Sequence, residues 1–187
     1  MAGSNVLVIS DNRQYRSWEI SPKDKSTMVV LGKVLLGQSQ IFLDMRSRKD
    51  KFISRVIFPI QNLRGDFVAF AGRIIWKGEP KYLNSPASDI YDKSSILYGL
   101  YHARSSITKK DQIIITEGYM DTLALHRGWF LQTVAVSGTA LTEKHITIIK
   151  RLTHKIYLCF DNDNAGEQAT KSALELLKNN GLEVKII

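Results

Sequence analysis

Three carboxylates stand where runs of apolar, largely β-branched residues end. Glu117 follows QIIIT (Gln112 to Thr116), and Asp161 and Asp163 follow IYLCF (Ile156 to Phe160). Ligands of an open parallel sheet bind outside the carboxyl ends of its strands, so two strand ends here deliver acids to one edge. Asp161 and Asp163 are two residues apart and can project to one side of a loop. Three carboxylates gathered there repel one another unless a cation lies between them. An all-oxygen set suits Mg²⁺ or Mn²⁺, whereas the single Cys159 and the scattered His102, His126, His145 and His154 have no zinc spacing. Asp121, one helical turn beyond Glu117, is either a further or outer ligand or a charge favouring a helix N-terminus. Gly118 is expected to allow a sharp turn beside Glu117, and Gly166 a close approach at the start of the next helix. The competing reading of DND is a loop held by its own Asx-type hydrogen bonds.

The surrounding pattern supplies the elements that must position these acids. QIIIT reads as a strand, and Met120 to Arg127 as a helix stopped by Gly128. TVAVS (Thr133 to Ser137) is the next strand, Thr142 caps a helix running to about Leu152, and IYLCF is the third strand. Ala165 to Asn179 reads as a helix with Ala169, Ala173, Leu176 and Leu177 turned inward, and EVKII begins a fourth strand. This alternation predicts an α/β domain over 111–187, with a mostly parallel sheet flanked by helices and strands buried on both faces. Residues 1–110 are expected to form a smaller, mixed, β-containing subdomain. In it RVIFPI (Arg55 to Ile60) and FVAFAGRII (Phe67 to Ile75) flank a turn and read as a hairpin. KGEPKYLNSPASD is expected to be irregular, and VVLGKVLL (Val29 to Leu36) is either a short helix or a strand. RSRKDK (Arg46 to Lys51) reads as a solvated charged face.

Composition narrows the class. The chain carries 26 Lys and Arg against 18 Asp and Glu, a formal charge of +8, which attracts polyanions. A basic chain with clustered carboxylates suggests phosphate chemistry bridged by cations. No apolar run reaches the roughly 18 residues of a membrane span, and the N-terminus has no signal-like apolar core. A cytoplasmic protein is expected. Cys159, inside IYLCF, is expected to be a small buried hydrophobe, and one cysteine forms no internal disulfide.

Seven segments in order, RVIFPI, FVAFAGR, PKYLNSP, LYGLYHAR, TEGYMDTLALHRG, SGTALTE and CFDNDNAG, resemble the catalytic core of the DnaG-type primase family. They cover roughly residues 53–187, and residues 1 to about 50 show no convincing match. The resemblance implies a TOPRIM fold for the C-terminal half, preceded by a smaller subdomain with which it forms a shallow cleft. It implies that Glu117 is the catalytic glutamate and that Asp161 and Asp163 are the metal-binding pair. Arg73, Lys81, Tyr82 and Lys93 fall on basic and aromatic positions around nucleotide and template. The implied partners are a single-stranded DNA template, ribonucleoside triphosphates and, for the whole family protein, a replicative helicase. Asn162 and Asn164 are local variants of the family pattern. The further acidic segment and helical bundle, the zinc-binding module and the helicase-binding domain of the family are expected to be absent from this stretch.

The activity so implied is template-directed synthesis of short RNA primers, in which a 3′-hydroxyl attacks an α-phosphate and pyrophosphate leaves. Metal ions about 3.5 to 4 Å apart neutralise charge on both oxygens. Glu117 either completes a metal shell or assists proton transfer, while Arg73, Lys81 and Lys93 meet phosphates. Two alternatives stand beside this reading. One is a catalytically incomplete nucleic-acid-binding TOPRIM module, and the other is a TOPRIM nuclease or topoisomerase fragment.

Overall fold

The computed structural model describes residues 7–11, 14–18, 42–44 and 49–187, and the chain divides into two compact units, residues 1–60 with 66–91 and residues 61–65 with 92–187. The VVLGKVLL run lies outside the described residues, as do residues 46–48 of RSRKDK. The expected division at 110/111 falls inside the second unit.

The first unit contains β1 (Leu7–Asp11), β2 (Gln14–Trp18), β3 (Phe42–Asp44), β4 (Lys49–Asp50), β5 (Arg55–Gln61), β6 (Phe67–Ile74) and β7 (Tyr82–Asn84). Five of these form a sheet in the order β2-β1-β5-β6-β7, and β3 and β4 pair separately. The hairpin expected from RVIFPI and FVAFAGR is present as neighbouring β5 and β6. β7 corrects the reading of KGEPKYLNSPASD as irregular, because Tyr82–Asn84 pairs antiparallel with Ala71–Arg73. Pro80 and Pro86 lower the local strand signal, yet the open edge of β6 offers a ladder to any short segment beside it. Arg55, a buried residue at the start of β5, donates from Nη1 to the carbonyls of Gly72 (3.1 Å) and Lys81 (3.4 Å) and so ties β6 to the entry of β7.

In the second unit a 3₁₀ turn (Lys93–Ser95) precedes α1 (Leu100–Lys110), β8 (Ile113–Thr116), α2 (Tyr119–Arg127), β9 (Thr133–Ala135), α3 (Glu143–Ile149), β10 (Lys155–Cys159), α4 (Asn164–Asn179) and β11 (Glu183–Ile186). The strands form a parallel sheet ordered β11-β10-β8-β9, flanked by helices. All four residues of β8 are buried, as a central strand covered on both faces requires. α4 buries Ala173 and Leu177 at helical spacing, and α1 buries Leu100, Ala103 and Ile107. These side chains meet Ile113, Ile115, Ile156 and Leu158 in one core. α3 stops at Ile149, before the expected Leu152, and Arg151 and Leu152 instead close tighter three-residue turns onto Ile148 and Ile149. β9 ends at Ala135, two residues early, because Ser137 turns into the left-handed region (φ 57°).

Candidate metal and nucleic-acid site

Register explains why the acids share an edge. β8 and β10 are parallel neighbours with Thr116 opposite Cys159, so Glu117 and the Phe160–Asp161 segment leave the sheet side by side. Glu117 Oε1 accepts the backbone N–H of Asp161 at 3.0 Å, which ties the two strand ends together. Thr116 fixes the turn from below: its buried hydroxyl lies 2.9 Å from that of Thr122 on α2 and donates to the Val134 carbonyl at 3.2 Å. Ser137 N–H donates to the Glu117 carbonyl at 2.9 Å, so the loop after β9 reaches the same edge.

Asp163 is the N-cap of α4, its Oδ1 accepting Gly166 N–H at 2.8 Å. Asp121 lies inside the first turn of α2 and reaches back, its Oδ2 accepting the N–H of the N-cap residue Gly118 at 3.1 Å. Glu117 is half-buried, while Asp121, Asp161 and Asp163 are exposed. Burial, followed by the charges of Asp161, Asp163 and Asp121, pushes the Glu117 carboxyl above its ordinary value, although the Asp161 N–H pulls the other way. A cation placed beside these groups relieves that repulsion, and their oxygens are hard donors suited to a hard divalent ion. Among the described residues, however, no three His, Cys, Asp or Glu side chains are gathered into a set able to hold a metal ion as they stand.

Gly166 is required by close approach. A Cβ there would lie 2.0 Å from the Asp161 carbonyl oxygen and 2.8 Å from Glu117 Oε1. Gly118 differs from expectation: its backbone is extended (φ −121°), open to any residue, and the constraint is the Asp121 carboxylate 2.9 Å from where a Cβ would stand. Cys159 is only partly buried, and burial, then the charges of Asp121 and Asp161, push its thiol up.

In the first unit Arg73 and Tyr82 are directly opposite across β6 and β7, with the guanidinium carbon 5.9 Å from the Tyr82 ring centroid. Tyr82 also packs near Phe58, with centroids 6.4 Å apart. Lys81 is exposed, and its carbonyl accepts from Ile74 N–H at 3.0 Å. Lys93, in the second unit, is half-buried. The sequence reading did not single out Arg55 or His145 as organising residues. The signal for His145 was its place three residues after the cap Thr142, the spacing of a reciprocal cap.

A parallel four-stranded sheet with acids at the ends of two adjacent strands defines a Toprim-like α/β unit, and the family model described as Toprim-like matches residues 114–187. A second model, the DNA primase catalytic core N-terminal domain, matches residues 24–104, extending the likeness well upstream of residue 53. The chain is 41% identical over 153 residues to a DNA primase of Halalkalibacterium halodurans, an alignment covering 80% of this chain and 26% of that protein. Among solved structures, the zinc-binding and RNA polymerase domains of the Aquifex aeolicus primase superimpose with a TM-score of 0.76 at 35% identity, covering 88% of this chain and 42% of that one. A DnaG primase catalytic domain bound to single-stranded DNA gives 0.69 at 32% identity, covering 89% and 53%. The chain therefore belongs to the DnaG-type DNA primase family, in whose catalytic core its two matched segments fall. It spans about a quarter of the length of the curated relative quoted.

Proposed function

We propose that this chain is the part of a DNA primase catalytic core that joins ribonucleotides on a single-stranded DNA template, working in the cytoplasm with divalent cations, Mg²⁺ or Mn²⁺. The hydrogen bond from Asp161 N–H to Glu117 Oε1 carries the reading, because it brings acids from two strand ends within one contact. Glu117, Asp161 and Asp163 hold the cations, with Asp121 beside them. When bound, the ions supply charge neutralisation for an attacking 3′-hydroxyl and a departing pyrophosphate. Glu117, kept more basic than usual by its surroundings, is suited to completing a metal shell or taking a proton. Arg73, Lys81 and Lys93 each bind phosphates, and Tyr82 orients Arg73. The relative solved with single-stranded DNA supports that template class, and ribonucleoside triphosphates are the co-substrates this chemistry needs. In the whole protein a replicative helicase is the proposed partner. No helix among the described residues is long and apolar enough to cross a membrane.

A second reading, a Toprim-like module that binds nucleic acid without catalysis, is favoured by the helix-start hydrogen bonds that Asp163 and Asp121 already accept. Incorporation of labelled ribonucleotides on a single-stranded template in the presence of Mn²⁺ separates the two. Activity lost in Asp161→Asn supports the polymerase. DNA binding and a manganese response with no incorporation supports the module.

A further inference from the structure

One buried group in the second unit has no place in that chemistry. His145, on the first turn of α3, has no exposed surface, and each of its ring nitrogens has a partner. Nε2 lies 3.2 Å from the Lys93 carbonyl, which can only accept, so Nε2 carries the proton. Nδ1 is then free to accept Thr142 N–H at 3.3 Å. The neighbours of His145 hold the same short segment. Thr142 Oγ1 donates to the Ser94 carbonyl at 2.6 Å, and Lys144 Nζ meets Asp92 Oδ2 at 2.7 Å. Asp92, Lys93 and Ser94 are thus each fastened by one of Lys144, His145 and Thr142.

The segment so fastened carries Lys93, a half-buried lysine with no hydrogen bond or ion pair to its side chain among the described residues. Burial lowers its basicity, and no carboxylate opposes the effect. An ammonium partly withdrawn from water and left without a counter-charge is poised for an incoming anion. The holding residues follow the loop that begins at Ser137, whose N–H is bonded to the Glu117 carbonyl. One continuous stretch, 137–145, therefore touches the acidic edge at one end and Lys93 at the other.

We propose that His145, assisted by Thr142, is a positioning residue that sets the Lys93 ammonium, relative to the carboxylate edge, for a phosphate group of an incoming triphosphate or of the template strand. This deepens the proposed function and rests on Lys93 meeting phosphate. His145 touches no substrate itself and acts through the Lys93 carbonyl.

A double-mutant cycle on the chain tests it, read by fluorescence anisotropy with labelled single-stranded oligodeoxynucleotide in one arm and a fluorescent ATP analogue with Mn²⁺ in the other. Lys93→Ala weakens binding in the arm whose phosphate it meets, which identifies the source. In that arm His145→Phe, which keeps a ring but removes both bonds, weakens binding roughly three- to tenfold when Lys93 is present and less than twofold in the Lys93→Ala background. His145→Gln, which retains a donor, recovers part of the loss. A His145→Phe chain that does not fold shifts the same cycle to Thr142→Val, which removes only the hydroxyl bond to Ser94 and the cap. Lys93→Ala without effect in either arm overturns the reading of Lys93 and the proposal with it. A Lys93 effect combined with equal His145 losses in both backgrounds leaves the phosphate reading standing and overturns the positioning role.

Discussion

Asp163 has two oxygens, and the fold engages only one in the α4 cap, where Oδ1 accepts Gly166 N–H at 2.8 Å. Capping and cation binding are therefore separable by substitution. Asp163→Asn keeps a good N-cap oxygen and loses the charge, whereas Asp163→Ala loses both. The cap is worth about 1 kcal/mol, which for a chain of this size lowers Tm by roughly 2 to 4 °C. Asp163→Ala should show that loss without metal, and Asp163→Asn should stay within a degree or two of the parent. Mn²⁺ at a hundred times its Kd stabilises the parent by about 2.7 kcal/mol, a rise of several degrees, and both variants should lose most of it. Asp161 provides the contrast. Its backbone N–H, not its carboxylate, is bonded to Glu117, so Asp161→Asn should cost no stability, slightly raise the metal-free Tm by easing repulsion on Glu117, and abolish the manganese shift. The measurement is a thermal melt with and without Mn²⁺. If Asp161→Asn and Asp163→Asn both destabilised the metal-free chain and kept the full manganese shift, the carboxylates would be serving only the loop.

Three further outcomes are expected. Burial lowers the basicity of His102, His126 and His145, so the unfolded chain binds more protons than the folded one below about pH 6.5. Their contribution is complete above that pH and lost as pH falls toward their folded values; Tm should drop between pH 7.5 and 5.5, and His145→Gln should flatten the slope. Gly166→Ala places a methyl 2.0 Å from a backbone carbonyl, so the Asp161–Gly166 loop must move, and the manganese shift should vanish even where circular dichroism shows the fold intact. Lys81→Ala removes an exposed charge, so it should weaken single-stranded DNA binding without lowering Tm and make the salt dependence shallower by about 0.7 in the log–log slope for one lost phosphate contact. An unchanged slope would remove Lys81 from the interface.

The second unit was legible because its signals are local. Ile113–Thr116 and Ile156–Cys159 are β-branched or apolar runs with helices between them, and Thr142 and Gly128 mark helix ends by residue type alone, whereas the N-cap role of Asp163 emerged only from the structure. Tyr82–Asn84 was not legible, because its strand conformation comes from the edge of β6 and not from its own residues. Arg55 and His145 escaped notice for a related reason. A lone arginine in a strand or a histidine on a helix gains its meaning from carbonyls 17 to 52 residues away.

The candidate site shows where such reading stops. Sequence places Glu117 and Asp161 after two strands, but not which strands are neighbours, and with an intervening strand a gap of about 10 Å would separate the acids. The observed order puts β8 beside β10 although β9 lies between them in the chain, and the register sets Thr116 opposite Cys159. From those two facts the Glu117 to Asp161 hydrogen bond follows, since each residue is among the first to leave its strand on the same edge. The bond in turn makes Gly166 obligatory, because the loop folds back until its first helical turn lies against both the Asp161 carbonyl and the Glu117 carboxylate. On the proposed reading, the Asp161 carboxylate and the oxygens of Glu117 and Asp163 not used by these backbone bonds are the ones that would meet a cation. A small, hard divalent ion suits them because it accepts several waters alongside one or two carboxylate oxygens and needs no closed protein cage.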